Sequence, residues 1–222
     1  MNEGKINIYF MPGLAAGPEI FDNLYLNSNR FNCHYLTWID PLDVEESIQS
    51  YTLRLSKNIK HKNPVLIGVS FGGIITQEIS KLITTQKIII ISSVKSTSEL
   101  PTSFTIASKS KIYKLFPTKI ITNFDDYSKF FIGKTLEKKA KLYKKYLSFR
   151  NEIYLKWSLE NVINWQQENV IHDILHIHGS KDEIFPIKNI KNSIIIEGAN
   201  HSMIILKAKE ISKIIEGVFF SL

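Results

Sequence analysis

The sequence predicts an α/β fold: a doubly wound, mostly parallel sheet of six strands with helices on both faces. Two observations carry this prediction. Short apolar runs alternate with stretches whose apolar residues recur at helical spacing, the pattern of successive strand–helix–strand units. The strand-like runs are rich in β-branched residues, and the run from Lys87 to Ile91 is almost entirely isoleucine, which is typical of parallel strands covered on both faces. The 222 residues are enough for one such domain.

Six strands are predicted, with helical patterns between them. The strands run over residues 5–11, 33–39, 65–69, 87–91, 173–178 and 193–197. Four helices are expected outside the region discussed next. The first lies near 19–26, and the second begins at a capping box formed by Asp43 and Glu46. The third follows the third strand and ends at about 84, and the fourth runs from about 204 to 219. Right-handed crossovers place helices on both faces of such a sheet. From the six strand-like runs separated by helical ones, we expect the strand order 2-1-3-4-5-6.

The alternation is interrupted between Thr97 and Trp165, which we interpret as a helical insertion within a single domain spanning residues 1–222. No strong strand pattern occurs there, and apolar residues repeat at helical spacing. The insertion is rich in aromatic residues, most of which we expect in helix packing and some in a pocket. They include Phe124, Tyr127, Phe130, Phe131, Tyr143, Tyr146, Phe149, Tyr154 and Trp157.

The insertion also carries the whole excess of positive charge. The chain has a net charge of +7; thirteen lysines and arginines stand against six acidic residues between Ser98 and Trp165, and the two signs balance elsewhere. A solvated, lysine-rich helical surface explains this pattern. Binding of nucleic acid or of another acidic surface is the alternative, although no nucleic-acid-binding motif accompanies the lysines.

The remaining composition indicates an ordinary globular protein, with 44% hydrophobic and 22% charged residues. The single cysteine, Cys33, excludes an intramolecular disulfide and favours the reducing cytoplasm. Since neither a signal-peptide pattern nor an apolar run of membrane-spanning length occurs, we expect no membrane partner.

The third predicted strand leads into Gly-x-Ser-x-Gly, which residues 68–72 form around Ser70. A helical pattern follows at once, and strand, sharp turn and helix are the context in which this pentapeptide acts as a nucleophile elbow. Small residues are needed on both sides of the serine, because side chains there would collide with the neighbouring strand or helix. The following helix directs its N-terminal amides toward the turn. This context favours Ser70 as a nucleophile over an incidental serine in a glycine-rich turn.

A serine nucleophile needs a base to take its proton and an acid to orient that base. Two loops offer such partners, because Asp182 follows the fifth predicted strand and His201 follows the sixth. Both residues are thus expected at the carboxyl edge of the sheet with Ser70, where open α/β sheets bind ligands. Glu183 adjoins Asp182, and we expect it to be solvated.

Two further histidines, His176 and His178, alternate within the fifth predicted strand and therefore face the same way. Such a pair could hold a metal ion. No third ligand at a suitable spacing accompanies them, so the sequence does not favour a metal site.

The elbow and the two loops together resemble the α/β-hydrolase superfamily over nearly the whole chain. The shared motifs are the Gly-x-Ser-x-Gly elbow, a Gly-Ser-x-Asp-x-x-x-Pro loop around Asp182 and a Gly-x-x-His loop ending at His201, in the family's order. The resemblance implies Ser70 as nucleophile, Asp182 as acid and His201 as base. It also implies an oxyanion hole formed by the backbone N–H groups of Leu14 and Phe71, and a lid at the position of the insertion at about 97–165.

The sequence thus predicts a serine hydrolase that cleaves a carboxylic ester or related acyl bond of a small molecule through an acyl-enzyme. Thioesters, amides and carbon–carbon bonds stay open as substrates, because the same three residues serve them all. This chemistry needs no cofactor or metal. The alternatives are a non-catalytic ligand-binding protein on the same fold, or a binder of acidic surfaces or nucleic acid.

Overall fold

A parallel six-stranded sheet lies at the centre of the structure, in the order β2-β1-β3-β4-β5-β6. The computed structural model describes residues 4–115, 146–149 and 151–220 of the chain. The strands are β1 (Ile6–Met11), β2 (Phe31–Tyr35), β3 (Val65–Val69), β4 (Lys87–Ile91), β5 (Ile174–Gly179) and β6 (Ile194–Ile196). All neighbouring strands pair in parallel, so the predicted fold class and strand order are confirmed.

The described residues form six α-helices around this sheet. They are α1 (Ile48–Ser56), α2 (Phe71–Ser80), α3 (Thr102–Ser110), α4 (Glu152–Ile163), α5 (Met203–Leu206) and α6 (Ala208–Phe219). Short 3-10 helices occur at Pro18–Phe21, Thr97–Glu99, Ile112–Leu115 and Ile187–Asn189. None of the described helices is both long and apolar enough to span a membrane.

The hydrophobic core has two parts, one on each face of the sheet. Leu66 of β3 belongs to the cluster that contains Ile75 and Ile79 of α2. Its neighbour Ile67 belongs to the cluster that contains Ile211 of α6. Because successive side chains of a strand point to opposite faces, α2 and α6 cover opposite faces of the sheet, as a doubly wound fold requires.

The helix expected from a capping box at Asp43 begins later, at Ile48, so that prediction is wrong. The N-cap is Ser47, whose side chain accepts a hydrogen bond from a backbone N–H in the first turn. Asp43 Oδ1 instead accepts from the backbone N–H of Glu45 at 2.8 Å. Such local side-chain-to-backbone turns compete with helix initiation.

Glu46, expected as the second member of the capping box, is paired with Arg54 of α1 instead. The guanidinium donates to both carboxylate oxygens, at 2.9 and 2.7 Å. Burial opposes ionisation of Glu46, but the hydrogen bonds from Arg54, the Leu42 N–H and the Ser50 hydroxyl lower its pKa on balance. A partner eight residues away has therefore displaced the local cap.

Three other predicted elements are shorter or less continuous in the structure. The second strand stops at Tyr35 rather than at 39, because β1 ends at Met11 and is followed by Pro12, which has no N–H to donate. The segment near 19–26 forms only a short 3-10 turn, and the last helix is interrupted at Lys207. Of the insertion, α3 and α4 are described, whereas five of the nine aromatic residues named above lie outside the described residues. Those five are Phe124, Tyr127, Phe130, Phe131 and Tyr143.

Candidate active site

Ser70 lies at the sharp turn between β3 and α2, with φ of 54° and ψ of −123°. This backbone conformation is costly for a residue other than glycine, and surrounding structure must hold it. The neighbouring glycines allow that structure to come close. A Cβ at Gly68 would clash with the backbone of Gly72, and a Cβ at Gly72 would clash with the carbonyl oxygen of Pro12.

The neighbouring strand fixes the backbone of Ser70 on both sides. The Ser70 N–H donates to the carbonyl of Ile91 at 2.9 Å, and the hydroxyl of Ser93 donates to the Ser70 carbonyl at 2.7 Å. Both partners lie at the end of β4 or just beyond it. The strained turn is therefore held by hydrogen bonds from outside the pentapeptide as well as by the glycines within it.

Ser70, His201 and Asp182 form one hydrogen-bonded chain. The Nε2 atom of His201 lies 2.9 Å from Ser70 Oγ, and Nδ1 lies 3.0 and 2.9 Å from Asp182 Oδ1 and Oδ2. Because a carboxylate can only accept, Nδ1 carries the imidazole proton and Nε2 is left to accept the proton of the Ser70 hydroxyl. The three residues thus meet in a geometry that can activate a serine.

Asp182 is only 4% exposed, and its own loop supports its carboxylate. Oδ1 accepts hydrogen bonds from the N–H groups of Ile184 and Phe185, both at 2.9 Å. Burial opposes ionisation of Asp182, but the electrostatic interaction and hydrogen bond with His201, together with the hydrogen bond from the Phe185 N–H, lower its pKa on balance. Glu183 is exposed, as expected from the sequence.

Both candidate oxyanion residues border Ser70. Phe71 is the first residue of α2, and the N–H of such a residue has no acceptor within its helix. Leu14 belongs to the loop after β1 and lines the same pocket as Ser70. The loop passes close to Ser70 at Gly13, where a Cβ would lie in van der Waals contact with Ser70 Cβ at 3.5 Å.

The two histidines of β5 contact each other in the interior of the protein. His176 Nε2 lies 3.1 Å from His178 Nδ1, and His178 Nε2 lies 2.8 Å from the carbonyl of Phe185. Burial lowers the pKa of both histidines, which keeps them neutral near pH 7. In the part of the chain that the structure describes, no group of three or more potential metal-ligating side chains occurs.

An apolar pocket of about 120 Å³ adjoins Ser70 and His201. Its walls include Phe104 of α3 and Val162 of α4, together with Phe185 from the loop of residues 179–186 that carries Asp182, called here the acid loop. The described flanks of the insertion thus contribute directly to this pocket. Among the described lining residues there is no lysine, arginine, aspartate or glutamate.

Sequence reasoning missed two aromatic residues that contact the loop after β1. Trp38 Nε1 donates to the carbonyl of Gly13 at 3.0 Å, and the hydroxyl of Tyr154 accepts from the N–H of Ala15 at 3.2 Å. Trp38 carried one signal, its position near the carboxyl end of a predicted strand. Tyr154 carried none, because it is indistinguishable in sequence from a helix-packing residue.

No protein-family model matches the chain, and no curated protein matches its sequence significantly. Solved structures of similar shape do exist. A carboxylesterase from the thaumarchaeon Nitrososphaera gargenis has a TM-score of 0.72 and 15% sequence identity, over 97% of this chain and 90% of its own. MenH from S. aureus has a TM-score of 0.70 and 16% identity, over 97% and 94%.

A third structure, the type II thioesterase YbtT of a yersiniabactin biosynthetic pathway, has a TM-score of 0.60 and 14% identity, over 97% of this chain and 93% of its own. Similarity at such low identity shows the fold and leaves the activity open. The chain has the α/β-hydrolase fold, as its motifs implied.

Proposed function

We propose that this α/β-hydrolase-fold protein is a serine hydrolase that cleaves a carboxylic ester or a related acyl bond of a small molecule. The observation that carries the proposal is the hydrogen-bonded chain of Ser70, His201 and Asp182 beside an apolar pocket. A non-catalytic binding protein has no need of a buried carboxylate, an oriented imidazole and a strained serine in contact.

In the first half of the reaction, Ser70 Oγ attacks the carbonyl carbon of the substrate while its proton passes to His201 Nε2. Asp182 stabilises the imidazolium that forms. The carbonyl oxygen becomes an oxyanion that accepts hydrogen bonds from the N–H groups of Leu14 and Phe71. The tetrahedral intermediate then expels its leaving group, which takes the proton from Nε2, and an acyl ester on Ser70 is left.

In the second half, a water molecule takes the place of the leaving group. His201 Nε2 accepts a proton from the water as the water oxygen attacks the acyl carbon, and the same two N–H groups hold the oxyanion. When the intermediate collapses, the proton returns to Ser70 Oγ and the carboxylic acid is released. The residues of the chain supply every group that these steps use.

The lining of the pocket supports an apolar acyl or alcohol group in the substrate. Phe104, Val162 and Phe185 offer contact area and no charge, so a carboxylate bound there would lose hydration without gaining a partner. Because α3 and α4 contribute to this wall, the proposal includes the insertion at about 97–165 as the lid of a single domain. We place the protein in the cytoplasm, where a lone cysteine stays reduced.

Labelling with a fluorophosphonate probe tests the proposal. The probe phosphonylates an activated serine with loss of fluoride, and we expect one adduct, located at Ser70 by peptide mass spectrometry. Ser70→Ala should abolish both the adduct and the hydrolysis of p-nitrophenyl butyrate. Ser80→Ala, at the other end of α2, is the matched control and should keep both. An unlabelled wild-type protein, or an adduct that persists in Ser70→Ala, would contradict the proposal.

A further inference from the structure

Trp38 is a buried side chain that contacts both segments carrying the candidate oxyanion amides. Its indole Nε1 donates to the carbonyl of Gly13 at 3.0 Å. Its ring stacks on that of Phe71, with centroids 5.4 Å apart and an interplanar angle of 12°. The loop after β1 and the start of α2 are far apart in sequence, and this one side chain contacts both of them.

The bond to Gly13 fixes the direction of the Leu14 N–H. The carbonyl of Gly13 and the N–H of Leu14 belong to the same peptide unit, which is planar, and in a trans unit the two groups point in opposite directions. A donor held on the Gly13 oxygen therefore sets the line along which the Leu14 N–H points. The Ala16 N–H also donates to this oxygen, at 3.0 Å, and closes the turn locally.

Tyr154 restrains the next peptide unit of the same loop. Its hydroxyl accepts from the N–H of Ala15, a residue in the left-handed region at φ of 60°. The Tyr154 ring is fully buried, and its centroid lies 5.1 Å from that of Trp38. Trp38 thus restrains the peptide unit before Leu14, and Tyr154 restrains the peptide unit after it. The two aromatic rings pack against each other.

We propose that Trp38, assisted by Tyr154, is the positioning residue that keeps the two oxyanion amides aimed at one point. The inference rests on the proposed function. An oxyanion hole stabilises charge only if its donors converge on the position of the developing oxygen, and small displacements of catalytic groups are costly. Trp38 supplies this alignment because it binds the Leu14 peptide unit through its N–H and Phe71 through its ring.

The chain contains its own matched control. Trp165 is as buried as Trp38, at 3% against 4%, and its Nε1 donates to Glu78 Oε1 at 2.8 Å. Trp165 is not among the residues that line the pocket. Trp38→Phe and Trp165→Phe therefore each remove one buried indole hydrogen bond, the first to a backbone carbonyl beside the proposed oxyanion hole and the second to a carboxylate outside the pocket lining.

The experiment measures kcat and KM with p-nitrophenyl butyrate, and the affinity for an alkyl trifluoromethyl ketone of matched length. Ser70 Oγ adds to the carbonyl carbon of this ketone, its proton passes to His201, and the ketone oxygen becomes an oxyanion in the proposed hole. For Trp38→Phe we expect kcat and ketone affinity to fall together by roughly 10- to 100-fold, with KM changed less than about twofold. Trp165→Phe should keep kcat and ketone affinity within about twofold.

The pH dependence of kcat/KM gives a second readout. Its apparent pKa should be the same in Trp38→Phe and wild type, because the hydrogen bond and ring contacts of Trp38 are with Gly13, Tyr51, Phe71 and Tyr154 and so leave His201 and Asp182 in place. Equal losses of kcat in Trp38→Phe and Trp165→Phe would overturn the inference, as would a loss of kcat without a parallel loss of ketone affinity.

Tyr154→Phe keeps the ring and removes the hydroxyl that accepts from the Ala15 N–H, so it tests the same alignment if Trp38→Phe does not fold. We expect it to lower kcat and ketone affinity in parallel by roughly tenfold, and unchanged values would overturn the inference. A wild-type protein that neither hydrolyses the ester nor takes the fluorophosphonate would instead remove the proposed function, and the inference with it. An active wild type with both variants unaffected would remove the inference alone.

Discussion

The Nε2 atom of His178 lies 3.7 Å from Oδ2 of Asp182, and both side chains are completely buried. The contact belongs to a closed set of bonds around the acid loop. His178 Nε2 donates to the carbonyl of Phe185, whose own N–H donates to Asp182 Oδ1. The histidine that suggested a metal ligand in the sequence therefore supports the loop that orients the carboxylate.

Replacement of His178 tests this supporting role. His178→Leu leaves the Phe185 carbonyl without its donor, and we expect the free energy of unfolding to fall by about 1–3 kcal/mol. We expect kcat to fall roughly tenfold, because the acid loop loses a restraint. His178→Gln keeps an N–H at a similar reach and should recover most of both losses. Chemical denaturation and ester hydrolysis measure them, and equal behaviour of the two variants would refute the role.

The buried histidines also predict how stability depends on pH. Burial, together with the nearby His178 and Lys95, holds the pKa of His176 well below its usual range. In the unfolded chain the same imidazole takes up a proton below about pH 6.5, so the unfolded state binds more protons and stability falls as the pH falls. The loss begins near pH 6.5 and grows until the pKa of the folded state is reached.

His176→Gln isolates this effect, because glutamine keeps a donor for His178 Nδ1 but cannot ionise. We expect the wild type to lose about 1 kcal/mol more than His176→Gln between pH 7 and pH 5.5. Urea denaturation at both pH values provides the measurement. Parallel losses in the two proteins would mean that His176 does not set the acid sensitivity.

The elements that the sequence predicts best are those that local pattern alone determines. β3 and β4 have the predicted bounds, because each is an uninterrupted apolar run covered on both faces. Ser70, Asp182 and His201 meet because parallel strands bring their carboxyl ends to one edge. The apolar runs were sufficient to predict the strand bounds, and chain order with strand position was sufficient to predict that the three side chains meet.

The sequence predicts poorly wherever a distant side chain decides the outcome. The local sequence at Glu46 favours a capping box. In the structure, however, Arg54 donates to the Glu46 carboxylate, and the Trp157 indole donates to the Glu46 backbone carbonyl at 2.8 Å. Trp38 reads as a strand residue, and its bond to Gly13 joins positions 25 residues apart. Side-chain contacts of this kind follow from the packed fold and leave no periodic trace in the sequence.

A buried ion pair, Lys95 with Glu99, fixes the chain after β4 to the segment before β6. Lys95 Nζ lies 3.6 Å from Glu99 Oε1 and donates to the carbonyls of Lys191 and Asn192. Glu99 in turn accepts from the N–H of Lys191 at 3.1 Å. Removal of the Lys95 charge would leave the Glu99 carboxylate buried without its partner. We therefore expect Lys95→Met to lower the free energy of unfolding by about 3–5 kcal/mol.

The exposed pair of Glu152 and Lys156, 2.9 Å apart, is the control for that experiment. Lys156→Met should change stability by less than about 0.5 kcal/mol, since exposed pairs of this spacing contribute little. Chemical denaturation of both variants in one buffer gives the comparison. A Lys95→Met protein as stable as Lys156→Met would show that the buried pair has no structural role.

The glycines at the Ser70 turn and in the last helix should respond in opposite directions to alanine. A Cβ at Gly72 would clash with the carbonyl of Pro12 and lie 2.5 Å from that of Met11, two rigid backbone groups next to the oxyanion loop. We therefore expect Gly72→Ala to lower the free energy of unfolding by about 1–3 kcal/mol and to reduce kcat as the loop is displaced.

Gly217, in α6, is exposed, and a Cβ there meets nothing within 4 Å. Gly217→Ala should raise stability by about 0.5–1 kcal/mol and leave kcat unchanged, because alanine favours the helix. Chemical denaturation and ester hydrolysis of both variants test this contrast. A Gly72→Ala protein with wild-type stability and kcat would contradict the predicted clash of the Cβ with the carbonyls of Pro12 and Met11.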